Sequence, residues 1–188
     1  MRVKGTAIID LVKTIRSEKD RDWEKYLRTE DLKIVRSIVL PSSWYPGASF
    51  WRISHAVTKE LGGMQPEAAF AFGRLSAQSY LGVYTRLLVP GDPHASVKNC
   101  LDLWQSFYDF EGALYPGIEL ETGSANVKLV AWDYPDMIIT EMRVPYFFGF
   151  AGYFQEITEQ ASGKRVHNTV TDRGDSFEIT YDWSTATR

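Results

Sequence analysis

The eight residues SFEITYDW, 176–183, alternate without a break: Phe177, Ile179, Tyr181 and Trp183 on one side, Glu178, Thr180 and Asp182 on the other. A strand turns successive side chains to opposite faces, so this segment belongs to a sheet with one buried face and one wet one. That is the habit of antiparallel sheets, because strands of a parallel sheet are covered on both sides and read as continuous apolar runs. The chain must then supply apolar surface to cover the inner face.

The first two-thirds supplies it as helices. Ile8, Leu11, Val12 and Ile15 recur at helical spacing, as do Trp23, Tyr26 and Leu27, and then Leu32, Val35, Ile38 and Val39. Thr29 suits a cap and Pro41 a stop. Phe50, Ser54, Val57 and Leu61 share a face that ends at Gly62-Gly63, a left-handed exit. Pro66 opens a long helix through Val89, and PGDP (90–93) precedes another, apolar on two sides.

The period then changes. NVKLVAW (126–132) and MIITEMRV (137–144) read as strands around the turn DYPD, and PYFFGFAGYFQEITEQASGK returns to helical spacing at about 145–161. RVHNTVT (165–171) and the alternating segment complete the order strand–strand–helix–strand–strand. The expected fold is α+β: a helical layer, 1–112, on a four-stranded antiparallel sheet, 124–183, in a single domain of 188 residues.

Several chemistries are excluded at this level. The net charge of −3 is spread along the chain, which leaves no basic stripe for nucleic acid. One cysteine, Cys100, and three scattered histidines present no metal-ligand spacing and no disulfide. No Gly-rich phosphate loop and no G-x-S-x-G elbow occurs. Ser42 and Ser43 suit helix ends, and Glu119 and Glu121 a solvated strand edge rather than an acid/base pair. Cys100, His94 or His55, and Asp102 contain the residue types of a nucleophilic site, but positions 100 and 102 face different ways on a helix. The expectation is a non-enzyme with no metal and no cofactor. The opening residues carry charges throughout, which suggests neither a signal peptide nor a membrane span and hence a cytoplasmic protein.

Two candidate surfaces remain. LPSSWYPGASFWRISHA (40–56) concentrates aromatic residues around a Pro46-Gly47 bend. It is either a helix–turn–helix corner in which Trp44, Phe50 and Trp51 plug the core, or one wall of a pocket for a small, largely apolar ligand. The second reading groups Trp44, Tyr45, Trp51 and His55 with Tyr80, Tyr84, Trp104 and Tyr108 as ligand-binding residues. On the 145–161 helix, Tyr146, Gly149 and Tyr153 lie opposite the Phe147–Phe154 stripe, where they either meet a protein partner or second copy, or are covered by another helix of the same chain.

VKGTAI, the block Val39–Pro46, ELGG at 60–63, GRLSAQSYLGVYTRLL, GDP and LWQSFYD together resemble an uncharacterised bacterial family expanded as paralogues in myxobacteria. It falls in a superfamily of 4-vinyl-reductase-type domains, haem nitric-oxide-binding domains and TRAPP-type tethering subunits. The resemblance implies helices on a four-stranded antiparallel sheet, with a ligand between the layers in some members. It also shows departures. Where the 4-vinyl-reductase type carries cysteines, RVPYFF and VHNTVTDRGDSFEI have none. Where the haem domains need a proximal histidine, Tyr108 or a neighbour stands; LYPG echoes them, but no Tyr-x-Ser-x-Arg occurs. The TRAPP-type likeness marks Cys100 as a candidate acyl site or, more simply, a core residue. The reading is a sensory or adaptor domain for a small apolar ligand. Its alternatives are an interaction module with a filled core and, third, a haem-based gas sensor.

Overall fold

A computed structural model describes residues 1–112, 117–134, 137 and 139–184. Their contacts cluster into two compact units.

The first unit comprises the described residues of Met1–Gln65, Ser106–Tyr115 and Tyr134–Arg143. It begins with β1 (Arg2–Lys4) and α1 (Gly5–Ser17), followed by α2 (Thr29–Arg36), β2 (Trp44–Pro46) and α3 (Gly47–Gly62). The predicted α1 stripe is buried at Ile8, Val12 and Ile15. The segment Trp23–Lys25 is a single 3-10 turn rather than the expected helix, and α2 stops at Arg36, which leaves Ile38 exposed. The N-terminus of α2 is closed by Asp31, whose Oδ2 accepts the Arg28 amide at 2.9 Å. Asp31 has no exposed surface, and Arg52 of α3 meets its two oxygens at 2.6 and 2.8 Å. Gly63 ends α3 at φ +56°, in keeping with its place in the sequence.

Two of the sequence blocks meet here. A Cβ on Gly5 would lie 2.1 Å from the Leu40 carbonyl oxygen, and the Gly5 amide donates to Ser43 O at 2.8 Å. Only a residue without a side chain lets α1 start this close to another backbone segment.

The second unit comprises the described residues of Pro66–Gln105, Pro116–Asp133 and Val144–Arg188. It holds α4 (Pro66–Val83) and α5 (Pro93–Gln105); the two-residue β3 (Tyr108–Asp109) between them and the sheet belongs to the first unit. The strands β4 (Ile118–Thr122) and β5 (Asn126–Trp132) then lead through α6 (Arg143–Ser162) to β6 (His167–Asp172) and β7 (Ser176–Asp182). The sheet is antiparallel throughout, in the order β4-β5-β7-β6. Val127, Leu129, Ala131, Ile179 and Tyr181 are fully buried on its inner face, and Phe177 nearly so. α6 seals that face with Phe147, Phe150, Phe154 and Ile157. Phe147 stacks on Phe177 with centroids 4.6 Å apart, and the Tyr181 hydroxyl donates to Ala151 O at 3.1 Å.

The α+β class and the strand–strand–helix–strand–strand order agree with the sequence, but one strand lies elsewhere than expected. β5 pairs with β4, IELET, and not with 137–144. The described part of 137–144 is a 3-10 turn at Thr140–Met142 running into α6. Pro145 accounts for the difference: it cannot donate to a sheet ladder but fits the first turn of a helix, where its missing N–H has no partner to lose. Ile118 and Leu120 alternate with Glu119 and Glu121, which stand exposed as the sequence suggests.

α4 and α6 touch backbone to backbone. A Cβ on Gly73 would fall 1.9 Å from Gly149 O, and one on Gly152 would fall 2.0 Å from Phe70 O. Beside this seam, Arg74 holds Glu156 and Glu159, while Gln78 and Gln160 both donate to Glu156 Oε1. Burial alone would push the Glu156 carboxyl up, but these hydrogen bonds hold it below the usual carboxylate range.

Candidate functional site

The Pro46-Gly47 bend is a strand-to-helix junction rather than a corner between two helices. β2 pairs with β1, setting Lys4 opposite Trp44 and Val3 opposite Tyr45. Side chains alternate across a strand, so Trp44 and Pro46 face outward while Tyr45 turns the other way. Trp44 is therefore not a core plug. Its exposed ring carries Arg2 and Lys4 over its face at 5.7 and 5.4 Å. The Tyr45 hydroxyl accepts the Leu40 amide at 2.9 Å, which ties down the preceding loop.

Trp51 has the opposite fate. It is fully buried on α3 and packs on Phe50, centroids 5.0 Å apart, and on Tyr134, 5.5 Å apart. Tyr108 on β3 lies 6.1 Å from Phe50 and 5.5 Å from Tyr134, and Phe110 stacks on Tyr134 at 5.6 Å. Phe50, Trp51 and Tyr134 are buried, while Tyr108 and Phe110 remain partly open. The first unit thus brings together two of the expected ligand-binding residues, Trp51 and Tyr108. It adds Tyr134, which sequence reading missed because DYPD has turn composition.

His55, on α3 of the same unit, donates from Nε2 to Glu141 Oε1 at 2.5 Å, and its ring meets the edge of Tyr26 at 5.8 Å. Lys59 reaches the same carboxylate oxygen at 3.5 Å. The hydrogen bond from His55 holds Glu141 below the usual carboxylate range.

The remaining expected residues lie in the second unit. Tyr80 and Tyr84 stack on each other at the end of α4, and Tyr80 also packs on Tyr153 at 6.1 Å. Trp104 of α5 fills space against Phe150 of α6 at 5.1 Å. On the face of α6 expected to meet a partner, Gly149 lies against Gly73 of α4 and Tyr153 against Tyr80, and Tyr146, Gly149 and Tyr153 are each partly exposed. The same seam accounts for both, since glycines that invite close approach have already been used. Tyr146 packs on Phe147.

No nucleophilic or metal centre assembles among the described residues. Cys100 is buried on α5, and burial pushes its thiol up to about 12, so it carries no thiolate at neutral pH. Asp102 bonds the exposed Lys98 at 2.5 Å. His94, in the first turn of α5, donates to Asn126 O at 3.1 Å and packs on Trp183, and His167 is exposed on the edge strand β6. Among the described residues no group of three or more His, Cys, Asp or Glu is placed to hold a metal ion. Among them, too, no helix is long and apolar enough to cross a membrane. The LYP of the LYPG echo lies outside the described residues.

No family profile and no curated protein sequence matches the chain. Solved structures do. The chain is similar to a structure from a study of haem distortion in the H-NOX family, at 13% identity and TM-score 0.66, covering 98% of this chain and 97% of that one. It is similar to a single-substitution mutant of T. tengcongensis H-NOX at 14% identity and TM-score 0.63, covering 98% and 100%. A third is an oxygen-binding H-NOX domain related to soluble guanylate cyclases, in its oxygen complex, at 13% identity and TM-score 0.63, covering 97% and 96%. At such identities the likeness concerns the fold alone. The expansion in myxobacteria rests on the sequence resemblance and gains nothing from these matches. The chain has an H-NOX-like α+β fold.

Proposed function

We propose that this chain is a sensory domain that binds a small molecule. The observation that carries the reading is its likeness, over 97–98% of its length, to H-NOX structures, one of them named for oxygen binding and another for haem distortion. That likeness favours gas sensing, the third of the sequence readings, over an interaction module.

Among the described residues no built haem site is seen. His94 and His55 each hold one ring nitrogen in a hydrogen bond, to Asn126 O and to Glu141, and His167 stands on an exposed strand edge. Cys100 is a protonated thiol, and Tyr108 is packed among Phe50 and Tyr134. Tyr-x-Ser-x-Arg is absent from the sequence. The proposal therefore keeps the sensory role and takes the ligand to be small and largely apolar, seated at the open edge of the aromatic cluster against Tyr108 and Phe110. Rings in contact with one another offer a broad apolar surface.

The test is a hemin titration of the purified protein followed in the Soret region, with native and denaturing mass spectrometry of the same preparation. The expected result is no saturable Soret band and a mass excess that vanishes on denaturation. A saturable one-to-one band would restore the haem sensor. A bare protein that also fails to bind any of a panel of small apolar compounds would refute ligand sensing and leave the filled-core interaction module.

A further inference from the structure

The connection from α2 to β2, SIVLPSS (37–43), and the strand WYP that follows it carry no charge, yet they stand in water. Ile38 is 84% exposed, Leu40 54% and Trp44 40%, with Pro41 and Ser42 exposed between them. Val39 is buried, so the aliphatic side chains on either side of it point outward together. The Ser43 amide donates to Leu40 O at 3.1 Å, a turn that brings Trp44 back beside them. This tip is fastened down. Arg16 of α1 donates to Val35 O at 2.7 Å and to Ser37 O, the Thr6 amide and hydroxyl both donate to Pro41 O, and the Tyr45 hydroxyl accepts the Leu40 amide.

Cations border the tip. Arg2 and Lys4 lie over the Trp44 ring, Arg16 sits at Ser37, and Lys33 and Arg36 line a shallow hollow with Ser37. The carboxylates that meet these five are Asp109 and Glu111 on Arg2 and Glu24 on Arg36. Lys4, Arg16 and Lys33 have no ion pair among the described residues. The rim is therefore positive, on a chain whose net charge is −3.

The charge pattern selects the occupant. A neutral apolar groove would leave the rim unpaired, and nucleic acid would leave Ile38 and Leu40 in water. The surface of an anionic bilayer matches both parts: aliphatic tips enter the acyl boundary, tryptophan rests at headgroup level, and Lys and Arg meet the phosphates. We propose that the 38–44 tip docks this chain peripherally on anionic phospholipid. Three side chains insert less apolar surface than one myristoyl chain, which by itself gives only marginal binding, so the attachment is weak, reversible and dependent on the rim.

Flotation with phosphatidylcholine vesicles containing about 30% phosphatidylserine, at about 1 mM lipid, tests this. The expected result is binding that weakens with salt and is absent from phosphatidylcholine alone. Ile38→Asp and Leu40→Asp should abolish it. Lys4→Glu, which removes one cation and adds one anion, should lower it roughly 25-fold, at about fivefold per charge. All three should keep the wild-type circular dichroism. An NBD label on Ser42→Cys should brighten and shift to the blue on the vesicles, while one on Lys59→Cys, about three turns along α3, should not. The buried Cys100 leaves the background unlabelled. No binding to the anionic vesicles, equal binding to phosphatidylcholine alone, or binding indifferent to both aspartates would overturn the proposal. So would a chain that binds no vesicles but self-associates, or takes up an added acidic amphipathic helix, in a manner lost in Ile38→Asp.

Discussion

The same substitution, glycine to alanine, should have opposite effects at two places on α4. At Gly73 the new methyl carbon would sit 1.9 Å from the Gly149 carbonyl oxygen and 2.8 Å from its carbon. Ordinary contact begins near 3.4 Å. The obstacle is backbone rather than a side chain that can rotate away, so α4 and α6 must separate by roughly 1.5 Å, and the neighbouring Gly152–Phe70 approach opens with them. Overpacking of this kind costs about 3 kcal/mol at the upper end of its usual range. Alanine's better helix propensity returns about 1 kcal/mol. The net expectation is a destabilisation of about 2 kcal/mol. At Gly82 a Cβ meets nothing, so only propensity acts, and the chain should gain about 0.5–1 kcal/mol. Urea unfolding followed by circular dichroism, at a few micromolar protein, compares the two variants with wild type through their midpoints, provided the slopes agree. If Gly73→Ala falls within about 0.5 kcal/mol of wild type, or shifts in the same direction as Gly82→Ala, the close seam between these helices is not what holds them.

Two further tests probe buried groups. Replacing Asp31 with Asn removes the buried carboxylate of Arg52 and leaves the exposed Glu30, 3.1 Å away, as its remaining counter-charge, and should cost about 1.5–3 kcal/mol in urea unfolding. Burial pushes the Asp31 carboxyl up, but Arg52 and the Arg28 amide hold it below its ordinary value. Its contribution is therefore complete above the unfolded value near pH 4 and is lost as pH falls through the lower folded value, so Asp31→Asn should flatten the acid limb of the stability profile. An unchanged limb would refute that role. Cys100, with its thiol at about 12, should resist maleimide at pH 8 in the folded chain and react promptly in urea. Labelling of the folded chain at the rate of a free thiol would contradict its burial.

Much of the fold was legible because local periodicity reports which face of an element is buried. The alternation of 176–183 is β7, with Phe177, Ile179 and Tyr181 inward, and the stripe from Phe147 to Ile157 is the side of α6 that covers the sheet. The ends of α3 and the solvated glutamates of β4 follow from the same local chemistry. Periodicity is silent on partners. MIITEMRV and IELET are equally plausible neighbours for β5 by composition, and the choice is made by a ladder that only IELET completes and by a proline that suits a helix start.

The candidate sites divide along the same line. That 40–56 is rich in aromatic residues is a property of the sequence. That Trp44 lies outside beneath two cations follows from the pairing of β1 with β2, and that Trp51 is sealed against Tyr134 follows from which face of α3 is packed. Tyr134 joins the cluster from more than 80 positions away along the chain, a distance no local pattern spans. Likewise Gly149 and Tyr153 mark a surface ready for close packing, but that Gly73, on a helix far upstream, packs against Gly149 is legible only in the tertiary structure. The sequence by itself determined the elements and their buried faces, because those depend on neighbours within a turn or two. Tertiary structure alone decided strand partners, the membership of the aromatic cluster and which face of α4 stays open, because each depends on backbone segments remote in sequence coming within contact distance.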